Sequence, residues 1–576
     1  MSFPLRRTFP STIEEITVRF ADATDVEAWL FADEGSRRAA ELKLAAKGIR
    51  ARFRSAYKPL VHAFLEEIDL AGVAAVEIAY PVHSQGEPGR FLLEAYPLAG
   101  LLAVPVRFTP RADADLHYDV VLLHEDGSSA SLAVQAPNRV HVDHTGAQVL
   151  SPTGWVRVER AGVTVADERI ETDFEALFAT AIKAIVDYEW GPTEPFFDEL
   201  RIAVTLPIAD RPLPLGEEVI SLTEALHEDL YFSGLEIFHS KSGRPSGDRG
   251  LQPGRIVPVV SYGLGPARLD ISLRHHSHAL PSAPRQPLET AQAPIAFDDV
   301  DEGLEAVGGE VFTGTSYCGR TVSGRYHLGS DAPVLVSGGQ HPNEPTGVVG
   351  ALRAAQRLAG RKNAHFSVVP LENPDGYALA RELYEVEPRH MHHAARYTAL
   401  GDDLEYRQAG PLYERDVREQ MLALCSPALH VNLHGYPAHE WTRPLTGYVP
   451  RNFALWTVPK GFFLVLRHQP GYRAQAERLA REVAQRLTGV PGLAELNARQ
   501  IELYRAHAGA LTFDIYSGFP VNITEFPDLK VPVTLITEYP DETIYGDAFQ
   551  LGHEAQTQTV LAAYDVWQEI ANDRRQ

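Results

Sequence analysis

The stretch Val334 to Gly350, VLVSGGQHPNEPTGVVG, constrains this chain more than any other. Its apolar start, Val334-Leu335-Val336, has the length of a buried parallel strand and ends in Ser337-Gly338-Gly339, where the backbone must turn tightly. His341 and Glu344 follow, and a small-residue run through Ala351 to Leu358 predicts a helix. A nitrogen donor and a carboxylate three residues apart, released from a strand end, sit where an α/β protein presents groups to a metal. Such a pair needs company: a third ligand, a base and substrate contacts.

The rest of the C-terminal half alternates in the same way. Further strands are expected at HFSVVPLEN, ALHVNLHGY and VPVTLITEY, with helices over 345–359, 411–425, 472–487, 492–508 and 554–571. Strands alternating with helices predict a mostly parallel sheet covered on both faces. Two of these strand ends carry suitable chemistry. His434 stands where the run from Leu429 gives way to Gly435-Tyr436-Pro437, and Glu538 follows VTLIT. Two histidines and two carboxylates are what zinc hydrolysis requires, since three ligands leave a position for water and the fourth group takes that water's proton. Glu525, in ITEFPD, echoes Glu538 in ITEYPD. Glu538 is the expected base because it ends the stronger apolar run directly before the last helix.

Other histidine groups compete for the same reading. Within His390, His392 and His393 the adjacent pair must point in divergent directions on any regular element, so they are read as pocket lining or surface. Arg274-His275-His276-Ser277-His278 has no carboxylate near in sequence and is read as an exposed turn. His430 and Asn432 alternate with His434 on one strand and can share its face.

The 576 residues exceed one ordinary core, and two to four domains are expected. From Leu70 to Val165 short β-type runs separated by turn pairs such as Asp126-Gly127 predict an antiparallel sheet or small sandwich. Before it, Ile16, Val18 and Phe20 alternate as in a strand, and Glu34 to Lys47 reads as a helix, as does Thr172 to Tyr188. Four prolines between Ala279 and Phe297 mark a linker. The expected division is a β-rich domain over 1–190, a small mixed α+β segment over 191–285, a linker over 286–300 and a catalytic domain over 301–576. A net charge of -23 argues against nucleic acid and against anionic membranes, and no apolar run approaches the ~20 residues of a bilayer span. MSFPLRRTFPSTIEE has no apolar core behind its arginines, and Cys318 and Cys425 lack metal-type spacing, so a cytoplasmic, disulfide-free protein is expected. Any oligomer is expected to form through the N-terminal region.

Over roughly residues 310 to 570 the motifs resemble the zinc carboxypeptidases of the carboxypeptidase A type. The matching residues are Tyr317-Cys318-Gly319-Arg320, His341-Pro342-Asn343-Glu344, Asn373-Pro374-Asp375-Gly376, His434-Gly435-Tyr436 and Thr534 to Glu538. The resemblance implies an α/β catalytic domain with a mixed, mostly parallel sheet between helices, preceded here by the β-rich α+β region. It implies zinc held by His341, Glu344 and His434, with Glu538 as base. It also implies a mobile tyrosine, matched by Tyr516, and an arginine that polarises the scissile carbonyl, for which Arg389 is preferred over Arg396. The family's carboxylate-gripping Asp-x-Asn-Arg stretch reads Asp403-Leu404-Glu405-Tyr406-Arg407 here. Glu405 would repel a carboxylate, Tyr406 has no fixed charge, and Arg407 is displaced by one residue, a shift that a planar fork donor does not tolerate. The implied activity is cleavage of an amide by a metallocarboxypeptidase acting on peptides. The alternatives are a zinc deacylase or amidase acting on a small N-acyl compound, and a binding protein with a degenerate hydrolase domain.

Overall fold

The computed structural model describes residues 5–573 apart from 112–114, 245–247, 408–409 and 452. The first four residues of the amino-terminal stretch lie outside that range. The C-terminal half is built on a nine-stranded sheet. Its order is Glu310–Thr315, Thr321–His327, Phe366–Val369, Val334–Ser337, Leu429–Pro437, Val533–Glu542, Phe463–His468, Phe519–Glu525 and Asp514–Tyr516. The four strands from Phe366–Val369 to Val533–Glu542 run parallel, as the alternation predicts. Their outer neighbours reverse direction, so the sheet is mixed. The expected helices form over Thr346–Ala359, Asp416–Cys425, Arg473–Leu487, Leu493–Ala508 and Asp547–Asp573, the last starting earlier than its apolar pattern indicates.

Small residues in the Thr346–Ala359 helix have a specific use. A Cβ on Gly347 would lie 3.0 Å from Leu433 Cβ, and one on Gly350 would lie 2.4 Å from Gln556 Cβ. The helix therefore packs backbone-close on the strand carrying His434 and on the last helix. Val336, Val348, Leu352, Val431, Leu433 and Leu535 fill this contact and are all fully buried.

Over residues 70–165 the strands pair mostly antiparallel, as expected, but the N-terminal half as a whole is more mixed. It contains three four-stranded sheets, each with one parallel pair: Asp25–Leu30 with Arg50–Ser55, Val73–Pro81 with Val106–Arg111, and Glu199–Leu206 with Arg255–Tyr262. The last sheet also pairs Ala267–Arg274 with Leu5–Phe9, so one sheet crosses residue 190. Pairing between segments so far apart in the chain leaves no local sequence signal. The alternating segment around Ile16 is a helix, Thr12–Arg19, capped by Ser11, whose side chain accepts from the Glu14 N–H. Ile16 and Phe20 face inward and Val18 is 75% exposed, so the i, i+4 pair outweighs the alternation. The proline-rich segment is packed rather than free: Ala291 and Ile295 are fully buried in the C-terminal core, and the Phe297–Val307 helix starts inside it.

The two halves meet along the Leu222–Ser242 helix, which buries Glu224, His227, Glu228 and Asp229. Buried charges need partners, and Glu224 and Asp229 find them in the segment after His434. Glu224 Oε2 lies 2.7 Å from His439 Nε2, Asp229 accepts from the Leu445 N–H and Thr446 hydroxyl, and Arg443 binds Glu236. Burial pulls the His439 pKa down, but the Glu224 carboxylate outweighs it and raises the value to about 9. A histidine whose folded pKa lies above its unfolded value near 6.5 contributes stability below that value and loses it as pH rises through about 9. Denaturant unfolding of wild type and His439→Gln should therefore differ by roughly 2–3 kcal/mol at pH 6 and by much less at pH 9.5. A pH-independent difference would exclude the ion pair as its source.

Candidate active site

The predicted ligands converge. His341 and Glu344 leave the carboxyl end of Val334–Ser337, while His434 lies near the carboxyl end of the adjacent parallel strand. His341 Nδ1 and His434 Nδ1 are 3.0 Å apart, and Glu344 lies 3.1 Å from the first and 3.0 Å from the second. Tetrahedral donors at zinc bond lengths of about 2.0–2.1 Å stand roughly 3.3 Å apart, so this triangle fits such an ion. All three side chains are buried. Among the described residues this is the one group of histidine, cysteine and carboxylate side chains close enough to hold a metal.

Further contacts fix these three side chains. Asp403 Oδ2 sits 3.2 Å from His341 Nε2, the outer nitrogen, which turns Nδ1 inward. The Gly435 N–H donates to Glu344 Oε2 at 2.9 Å, and the Arg396 guanidinium pairs with Glu344 Oε1. Burial alone would raise the Glu344 pKa, but the charges of His341 and Arg396 hold it well below the usual carboxylate range.

Glu538 is the direct neighbour of His434 in the parallel ladder, and both side chains line a cavity of about 1090 Å³. Burial, reinforced by the Glu344 carboxylate, raises its pKa well above the usual value against the opposing charges of Arg396 and Lys460. Lys460 is fully buried with no hydrogen-bond partner on Nζ, which lies 4.7 Å from the Tyr436 ring centre and 5.0 Å from that of Trp456. Burial lowers its pKa to about 7.

The remaining sequence candidates divide. Arg396 reaches the cluster, whereas Arg389 is 62% exposed, pairs with Glu217 and is not part of the cavity wall. The preference for Arg389 is corrected: sequence spacing through an irregular segment does not reveal which arginine turns inward. Tyr516 also lies elsewhere, on the edge strand Asp514–Tyr516 with Arg481 over its ring at 4.4 Å. Glu405, Tyr406 and Arg407 all line the cavity. Glu405 pairs with Arg418, and Arg407 is taken up by Asp402 at 2.9 Å and by Glu414. The Tyr406 hydroxyl accepts from Arg249 of the N-terminal half at 2.7 Å. Glu525 is exposed near the other end of the sheet. His275 is 98% exposed, and His430 and Asn432 both bond the Ser337 hydroxyl beneath the cavity.

Several participants carry no sequence signal of their own. Asp541 and Glu542 continue the Glu538 strand; Asp541 caps Thr346 at the start of the helix after Glu344, and Glu542 accepts from Asn343 Nδ2 at 2.7 Å. Trp441, Phe453 and Trp456 wall one side of the cavity from the long segment after His434. Only packing between distant segments brings them there.

No family model matches the chain, and no curated protein is similar to it. Solved structures do match. A metallo-carboxypeptidase from Pseudomonas aeruginosa is 17% identical, over 53% of this chain and 72% of that one, with a TM-score of 0.30. Carboxypeptidase A from Helicoverpa armigera is 10% identical, over 54% and 91%, with a TM-score of 0.32. A metallo-carboxypeptidase from Burkholderia cenocepacia is 14% identical, over 53% and 73%, with a TM-score of 0.30. Likenesses this loose transfer no residue roles, and the chemistry rests on the atoms of the site.

Proposed function

We propose that the C-terminal half is a zinc-dependent hydrolase that cleaves an amide bond in a short peptide or an N-acyl amino compound. One observation carries this reading: a buried two-histidine, one-carboxylate cluster faces a cavity with Glu538 directly beside His434. Zinc, when bound, supplies Lewis-acid polarisation of the substrate carbonyl and of a water. Glu538 takes the proton of the attacking water and passes it to the leaving nitrogen, a task suited to a carboxylate of raised proton affinity. Arg396 stabilises the negative charge that develops on the carbonyl oxygen. Asp403 keeps the His341 ring oriented.

The substrate readings divide on whether a terminal carboxylate is gripped. Glu405 and Arg407 are both engaged within the protein, which favours deacylation of a small compound over trimming of a long peptide. Purified protein should hold one zinc per chain, and His341→Gln or His434→Gln should leave it substoichiometric by elemental analysis. Hippuryl amino acids, which carry a terminal carboxylate, assayed beside N-acyl amines that lack one separate the two readings. A wild-type protein without stoichiometric zinc and without activity on either set would identify a binding protein instead.

A further inference from the structure

We propose that the end of the cavity beneath the Leu222–Ser242 helix is a subsite for a primary ammonium group, formed by Glu542 and His393 against the indole of Trp441. The inference rests on the hydrolase reading and narrows its substrate to compounds that carry a free amine at that end.

Glu542 is 1% exposed yet contributes to the cavity wall. Its Oε2 accepts from Asn343, while Oε1 has no partner. A buried carboxylate oxygen without a donor is costly, and a ligand that donates to it recovers that cost. His393, also in the wall and 4% exposed, has Nδ1 2.7 Å from Glu228 Oε2, but off the line of a hydrogen bond.

Charge pairing points the same way. Three buried carboxylates nearby each have a cation: Glu224 has His439, Asp229 has Arg443, and Glu440 has Lys58, whereas Asp541 is held by the Thr346 N–H and hydroxyl alone. Arg396 is engaged by Glu344. Glu228 has His393 at 2.7 Å and His227 at 3.7 Å, whereas Glu542 forms no ion pair among the described residues and keeps one oxygen without a partner, which leaves it to a cation from outside. The lining suits it. The Trp441 N–H is satisfied by the Trp456 carbonyl at 2.9 Å, so Trp441 offers the cavity its aromatic ring and no free donor. Phe232 of the Leu222–Ser242 helix stacks on Trp441 at 5.4 Å and meets His393 edge-on at 4.9 Å, closing the cavity behind them. A group bound here must be terminal and small.

The test compares benzylamine, cationic at neutral pH, with benzyl alcohol, its neutral isostere. Binding to the full-length protein is followed by calorimetry, with zinc present and after dialysis against a chelator, and zinc is quantified in each sample. Benzylamine should bind roughly tenfold or more tightly than the alcohol in both states, and Glu542→Gln should remove the difference. Equal binding of the two probes by wild type overturns the proposal. So does a preference that survives in Glu542→Gln, or one that vanishes with the metal, because the amine would then be coordinating zinc. If the variant does not fold, the wild-type comparison with and without zinc decides. Zinc without an amine preference removes the subsite and leaves the hydrolase; an amine preference in a protein that never holds zinc does the reverse.

Discussion

Glu538→Gln should lower turnover of any amide substrate by about three orders of magnitude while the protein keeps its zinc. The substitution preserves shape and removes only the ability to take a proton. Glu538 does not belong to the ligand triangle, so zinc content should match wild type. Steady-state kinetics beside elemental analysis check this. A loss below tenfold would place the base elsewhere, and a loss of zinc would make Glu538 a ligand.

Gly435→Ala should damage the site without touching a ligand side chain. A Cβ there would lie 1.9 Å from Asp541 Oδ1 and 2.8 Å from the Tyr539 carbonyl oxygen, closer than any real contact. Relief requires Asp541 to move, yet Asp541 holds the start of the helix after Glu344 through the Thr346 N–H and hydroxyl. The Gly435 N–H itself donates to Glu344. Overpacking of this kind costs about 1–3 kcal/mol, and disturbed ligand support lowers metal affinity about 10- to 100-fold. Denaturant midpoints and zinc retention against a competing chelator measure both. A variant with wild-type values in each would mean that the two strands separate at no cost.

Why the clustering of His341, Glu344 and His434 is legible in the sequence and the inward-turned arginine is not is a matter of distance along the chain. His341, Glu344, His434 and Glu538 each stand at or just past an apolar strand, so local pattern places them at the same edge of one sheet. Arg389 and Arg396 lie in an irregular stretch where periodicity has nothing to act on, and the choice between them fell wrongly. Tyr516 failed differently. The resemblance implies a mobile tyrosine at the site, whereas the Asp514–Tyr516 segment pairs with Phe519–Glu525 at the sheet's edge. In the N-terminal half the missing information was long-range pairing: nothing near Leu5 indicates a partner at Ile271. His393 is legible as a pocket-lining candidate, but its partners are not, and Glu542 is hidden outright, since their environment comes from a helix whose sequence reads simply as a helix.

The adjacency of His434 and Glu538 has one more consequence. Their separation is set by the spacing of hydrogen-bonded strands, about 4.8 Å, in the interior of a nine-stranded sheet. The loops that shape the cavity can drift, lengthen or be exchanged without altering that interval. On the hydrolase reading, selectivity and chemistry are thus mechanically decoupled: the rim can be re-cut for a new substrate, while the gap between His434 and Glu538 remains a property of the weave.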